Sequence, residues 1–129
     1  MDKKPEEWKS VLVVDDDESH LKLMRGILLA HSYSVLAATT GEEGLHIAKA
    51  QKPDLILLDV ILPGIKGRDV CRTLKADEET KDIPVVFLTA KDSDDDIQAE
   101  QEVGGVAHLT KPIDVKTMLA VITDILPAE

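Results

Sequence analysis

The chain has 129 residues, 43% of them apolar and 2% aromatic, with one cysteine and a formal net charge of −10 at pH 7. That length suits one domain with a single core built from Val, Ile, Leu and Ala, and the scarcity of rings argues against flavin pockets and single-stranded nucleic-acid platforms. The acidic surface disfavours direct nucleic-acid binding, the lone Cys71 excludes an internal disulfide, and the lack of any membrane-length apolar run or signal-like start implies a cytoplasmic protein without membrane insertion.

Residues 1–9 read as an N-terminal extension. Val11–Val14 is a compact β-branched run that ends in acids, and Leu21, Met24 and Leu28 then recur at helical spacing. Tyr33–Ala38 reads as a second strand. Thr40 with Glu43 three residues on is a capping-box signal for a helix that Pro53 ends. Leu55–Leu58 is a fully apolar third strand, followed by a loop holding Pro63, Gly64 and Gly67 and a helix through Val70 and Leu74. Cys71 lies in that helix and reads as a small, partly buried side chain. Val85–Leu88 is the fourth strand, Asp92–Val103 a helix with only Ile97 and Val103 as large apolar residues, and Val106–Leu109 a short fifth strand. Asp114 caps a final helix whose apolar face runs from Val115 through Met118 and Ile122 to Leu126. Strict alternation of five strands and five helices predicts an α/β fold. Strands that are apolar throughout are buried on both faces, which means a parallel sheet covered by helices. The doubly wound, flavodoxin-like order 2-1-3-4-5 follows from right-handed crossovers at this size.

In such sheets ligands bind beyond the carboxyl ends of the strands, where strand order reverses. Asp15 and Asp16 come directly after the first strand and Asp59 after the third, so three carboxylates converge on that crevice. A cluster of this kind is costly unless protonated or bound to a cation. Oxygen-only ligands with no thiol or imidazole nearby favour a hard ion, and Mg²⁺ is the usual choice where phosphate is handled. Thr89 after the fourth strand and Lys111 after the fifth add a hydroxyl and an ammonium suited to phosphoryl oxygens. A carboxylate can itself accept a phosphoryl group. Taken singly, each acid would more often be a turn or cap residue, Thr89 a strand end and Lys111 a solvated charge. The conjunction at four strand ends carries the signal.

Through VLVVDDDES, PDLILLDVILPGIKG, IPVVFLTAKDS and HLTKPID the sequence resembles the response-regulator receiver family, and residues 10–127 are then the receiver domain. The resemblance implies that Asp59 is phosphorylated, that Asp16 ligates Mg²⁺ directly and Asp15 mainly through water, and that the main-chain carbonyl of Ile61 completes the protein ligands. It implies that Thr89 senses the phosphoryl group and Lys111 pairs with it. The donor implied is a phosphohistidine on a histidine kinase or histidine phosphotransfer protein. A downstream protein effector would bind the face of the fourth helix, fifth strand and fifth helix. Beyond self-phosphorylation and self-dephosphorylation no enzymatic activity is implied. The chain departs from the pattern at His108, where an aromatic switch residue is usual, at Val106-Ala107 in place of an acidic pair, and at Gly104-Gly105 in place of Gly-Ala. Three rivals remain. A phosphatase of the haloacid dehalogenase type would use the Asp-x-Asp of Asp15 and Asp17 but leaves Asp59 unexplained. A flavodoxin-like carrier lacks its Ser/Thr/Gly phosphate loop here. A degenerate receiver scaffold does not fit the intact set of Asp15, Asp16, Asp59, Thr89 and Lys111.

Overall fold

The computed structural model describes residues 4–90 and 93–127. After a single 3-10 turn at Pro5–Glu7, the chain runs β1 (Ser10–Val14), α1 (Glu18–Ala30), β2 (Ser34–Ala38), α2 (Gly41–Gln51), β3 (Leu55–Asp59), α3 (Gly67–Ala76), β4 (Val85–Thr89), α4 (Asp94–Glu102), β5 (Ala107–Thr110) and α5 (Val115–Ile125). The strands form one parallel sheet in the order β2-β1-β3-β4-β5, as the alternation predicts.

Residues alternate across the sheet, so each central strand feeds two cores. Leu12, Val14, Ile56, Leu58 and Phe87 pack with Ala48 of α2 and Val70 and Leu74 of α3. Val11, Val13, Leu57, Val86 and Leu88 pack on the other face with Leu21, Met24 and Leu28 of α1 and Met118 and Ile122 of α5. The edge strands are only partly covered: β2 is half-buried over most of its length, and Leu109 is the only fully buried residue of β5. Burial on both faces therefore holds for β1, β3 and β4.

Several boundaries move. Asp59 and Thr89 are the last residues of β3 and β4, not the first beyond them, because ladder pairing continues through Asp59–Leu88 and Thr89–Thr110. The fifth strand is shifted one residue on, leaving Val106 56% exposed. Helix α4 starts at Asp94, where the Ser93 hydroxyl accepts the Asp96 amide hydrogen; Asp92, the expected start, lies outside the described residues. Thr40 caps α2 by accepting the Glu43 amide hydrogen, but the Glu43 carboxylate reaches the Thr39 amide, one residue earlier than a standard box. Cys71 is fully buried, its thiol facing the Val103 carbonyl, and burial pushes its pKa up to about 11. Gly67 is dictated by packing. A Cβ there would lie 2.1 Å from the Asp59 carbonyl oxygen, so only glycine lets α3 start against the loop that follows β3.

Candidate functional site

β1 and β3 are neighbours in register, Val14 beside Leu58, and their crossovers leave in opposite directions, which opens a crevice beyond their carboxyl ends. Asp15 enters it directly from β1, its amide held by the Ala38 carbonyl, and its side chain is fully buried. Asp59 enters from β3 at 5% exposure, and Asp16 lies on the exposed rim. One carboxylate oxygen from each of the three comes within 4.8 Å of the other two. The donor set is all oxygen and doubly or triply anionic, which fits a hard divalent ion.

Lys111 closes the cluster. Its Nζ donates to Asp59 Oδ2 at 2.7 Å and to Asp15 Oδ2 at 3.4 Å. Its backbone N–H donates to the Thr89 carbonyl at 2.7 Å, tying the ends of β4 and β5 together on the same rim. Thr89 is buried there. Ile61, two residues past Asp59, donates its amide hydrogen to Asp59 Oδ1 at 3.1 Å, while its side chain is 55% exposed. The fold thus brings together Asp15, Asp16, Asp59 and Lys111, with Thr89 and Ile61 bordering them.

The two buried acids differ in electrostatics. Burial pushes the Asp59 carboxyl up, and Lys111 and the Ile61 amide only partly offset this, so it stays above the usual carboxylate range. Burial acts on Asp15 in the same sense but is outweighed by the Asp17 amide, His20 and Lys111, which hold it below that range. For Lys111 burial works downward, yet Asp59 and Asp15 win and raise its pKa.

His20 corrects the expectation of an oxygen-only neighbourhood. Its Nδ1 is in direct hydrogen-bonding contact with Asp15 Oδ2. Asp17 makes this possible as the N-cap of α1. Its Oδ1 accepts the amide hydrogens of Ser19 at 2.9 Å and His20 at 3.2 Å, which fixes the backbone of the first helical turn beside the acids. The available signal was an Asp directly before the helical period, with His three residues on. Asp17 so engaged serves its own helix, and Asp114, the acid after Lys111, caps α5 through Thr117. Neither reinforces a dehalogenase-type metal site.

His108 stands apart from the acids. It sits on β5 opposite Phe87, half-buried, and borders a void of about 20 Å³ together with Glu100 of α4 and Gly105. Glu100 was not anticipated: it is 2% exposed, neither carboxylate oxygen accepts a hydrogen bond, and Arg68 Nη2 comes only to 3.9 Å. Among the described residues no helix is long and apolar enough to cross a membrane.

The comparisons with known proteins agree with this geometry. The family model for the response regulator receiver domain matches residues 11–123. Protein PilH of Pseudomonas aeruginosa is 36% identical over 116 residues, which cover 90% of this chain and 96% of that protein. The response regulator PleD of Caulobacter vibrioides is 46% identical over 104 residues, 81% of this chain but only 23% of PleD. The crystal structure of a response regulator from Chloroflexus aurantiacus superposes with a TM-score of 0.89 at 30% identity, covering 95% of this chain and 100% of that one. With the fold, the three converging carboxylates and a family match over nearly its whole length, the chain belongs to the response regulator receiver domain family.

Proposed function

We propose that this receiver is an active phosphoacceptor: Asp59 takes a phosphoryl group from a phosphohistidine on a histidine kinase or histidine phosphotransfer protein. The observation that carries this reading is the Lys111 ammonium 2.7 Å from Asp59 Oδ2, inside a carboxylate cluster tight enough for a divalent ion. A degenerate scaffold has no reason to keep three mutually repelling acids around a lysine. Asp15, Asp16, Asp59 and the main-chain carbonyl of Ile61 would hold Mg²⁺. Once bound, the ion supplies charge neutralisation between the carboxylates and the phosphoryl oxygens.

In the transfer, an Asp59 carboxylate oxygen forms a bond to phosphorus while the donor's P–N bond breaks. The leaving imidazole keeps the bonding pair. Lys111 exchanges its carboxylate contact for a phosphoryl oxygen, and the Thr89 hydroxyl donates to another. An apolar groove of about 260 Å³ between α1 and α5, lined by Leu23, Ile27, Ile113 and Val115, opens beside Lys111 and suits a protein donor approaching by a helix. Output passes to a downstream protein effector on the face of α4, β5 and α5, with His108 as its switch. Residues 10–127 form the functional domain, residues 1–9 are an extension, and the site of action is the cytoplasm.

The test is incubation with Mg²⁺ and acetyl phosphate, followed by intact mass and site mapping. A single phosphoryl adduct on Asp59 is expected, absent in Asp59→Asn, nearly absent in Asp16→Asn and absent in chelator. An adduct on Ser or Thr, or one formed equally well in chelator, overturns the reading. Sustained turnover of a generic phosphate monoester would favour the dehalogenase-type alternative centred on Asp15.

A further inference from the structure

Asp15 is saturated to a degree that Asp59 is not. Its Oδ1 accepts the Asp17 amide hydrogen at 3.0 Å, and its Oδ2 meets both His20 Nδ1 and Lys111 Nζ. A carboxylate offers about four lone-pair sites, so three are engaged and one, on Oδ1, is left. Lys111 lies closer to Asp59 than to Asp15, 2.7 against 3.4 Å. The imidazole supplies at Asp15 the contact that the lysine gives mainly to Asp59.

We propose that His20 is a positioning residue for the divalent-cation site, an outer partner that fixes the Asp15 carboxylate and leaves Lys111 to Asp59. The inference rests on the metal-dependent reading given above. His20 is not itself placed as a ligand: the triad whose oxygens lie within 4.8 Å of one another is Asp15, Asp16 and Asp59. Its hold on Asp15 is geometric. The cap at Asp17 fixes the His20 backbone, the ring is 19% exposed at the mouth of the α1–α5 groove, and Nδ1 is the atom that faces the acid. Outer partners that orient a ligating side chain support metal affinity, and their loss costs about 10-fold or more.

The experiment compares wild type with His20→Leu, which removes the donor while suiting the apolar groove, and His20→Asn, whose amide nitrogen replaces Nδ1. Mg²⁺ affinity is read by calorimetry, and the Mg²⁺ dependence of acetyl phosphate labelling is read alongside it. His20→Leu should weaken Mg²⁺ binding by about 10-fold and raise the half-saturating Mg²⁺ for labelling in parallel. His20→Asn should recover most of the affinity. Affinity in His20→Leu equal to or above wild type overturns the inference and leaves the phosphoacceptor reading intact, as does a His20→Asn variant no better than His20→Leu. A wild-type protein that binds no divalent ion overturns both. Matching far-ultraviolet circular dichroism and thermal midpoints in the three proteins exclude misfolding as the cause.

Discussion

Asp15 and Glu100 are buried to the same degree, 0% and 2% exposed, and the fold treats them in opposite ways. Asp15 sits at a strand end where a backbone amide, an imidazole and an ammonium converge, and its carboxyl is held below the usual range. Glu100 sits in the last turn of α4, where the neighbouring backbone amides are already spent on the helix itself. Its oxygens accept nothing, and burial raises its pKa despite His108 and Arg68 nearby. The difference shows what a strand end provides: free backbone donors and loops from several directions. An acid is kept ionised where the architecture supplies donors, and elsewhere burial acts against its charge.

The largest effect should come from supplying Mg²⁺, the cation proposed for the Asp15 region. At 100 times its Kd, Mg²⁺ should stabilise the wild-type protein by about 2.7 kcal/mol, the linkage value for one site. Asp59→Asn should lose more than half of that gain. Without metal the sign reverses. A carboxyl whose folded pKa lies above its unfolded value, here 3.8, gives stability that is fully present below that value and lost as pH rises through the folded pKa. Ionised Asp59 therefore opposes folding at neutral pH, and in chelator Asp59→Asn should be more stable than wild type. Urea melts in chelator and in Mg²⁺ measure both terms. A less stable Asp59→Asn in chelator would mean that the Lys111 pair outweighs burial.

The next effect belongs to Glu100. Replacing a buried acid that accepts no hydrogen bond by an apolar side chain of similar volume removes a desolvation cost of about 1–3 kcal/mol. Glu100→Met should accordingly stabilise the domain by that amount at pH 7, and Glu100→Gln by less. The pH dependence has the same form as for Asp59, starting from an unfolded value of 4.5. The advantage of Glu100→Met should shrink as pH falls toward 4.5 and grow as pH rises through the folded pKa. Denaturant midpoints at three pH values decide it. A destabilised Glu100→Met at pH 7 would show that His108 and Arg68 compensate the charge more than its unfilled hydrogen bonds suggest.

What could be read beforehand divides along the same line. The central strands β1, β3 and β4 were legible because burial on both faces leaves an unbroken apolar run, and once their order was known the acids at their ends fell into one crevice. Lys111 was legible from its place just after the short fifth strand and before Pro112, although β5 is an edge strand that is only partly covered. His20 was not, because its reach to Asp15 depends on where the Asp17 cap starts α1, a geometry that strand-end spacing does not encode. Glu100 was masked by the polar composition of α4, although it lies three residues after Ile97 and so shares the inward face of that helix. The shifts at β3 and β4 came from ladder pairing that carries on through a polar residue when its neighbour strand is still extended.

The smallest effect tests whether burial, and not proximity, governs the contrast. Arg72 Nη1 and Asp69 Oδ1 form an ion pair at 2.5 Å, shorter than the 2.7 Å between Lys111 and Asp59, but the two side chains are 64% and 55% exposed. Water screens both charges before and after folding, and holding two long side chains in one geometry costs entropy that offsets the Coulomb gain. Arg72→Gln keeps helix propensity nearly constant, so the substitution isolates the charge pair. Stability should change by less than about 0.5 kcal/mol, and the residual difference should vanish in high salt. Should Arg72→Gln instead cost as much as Glu100→Met gains, distance alone would be setting the energetics, and the distinction drawn between donors at a strand end and a bare acid within a helix would lose its physical basis.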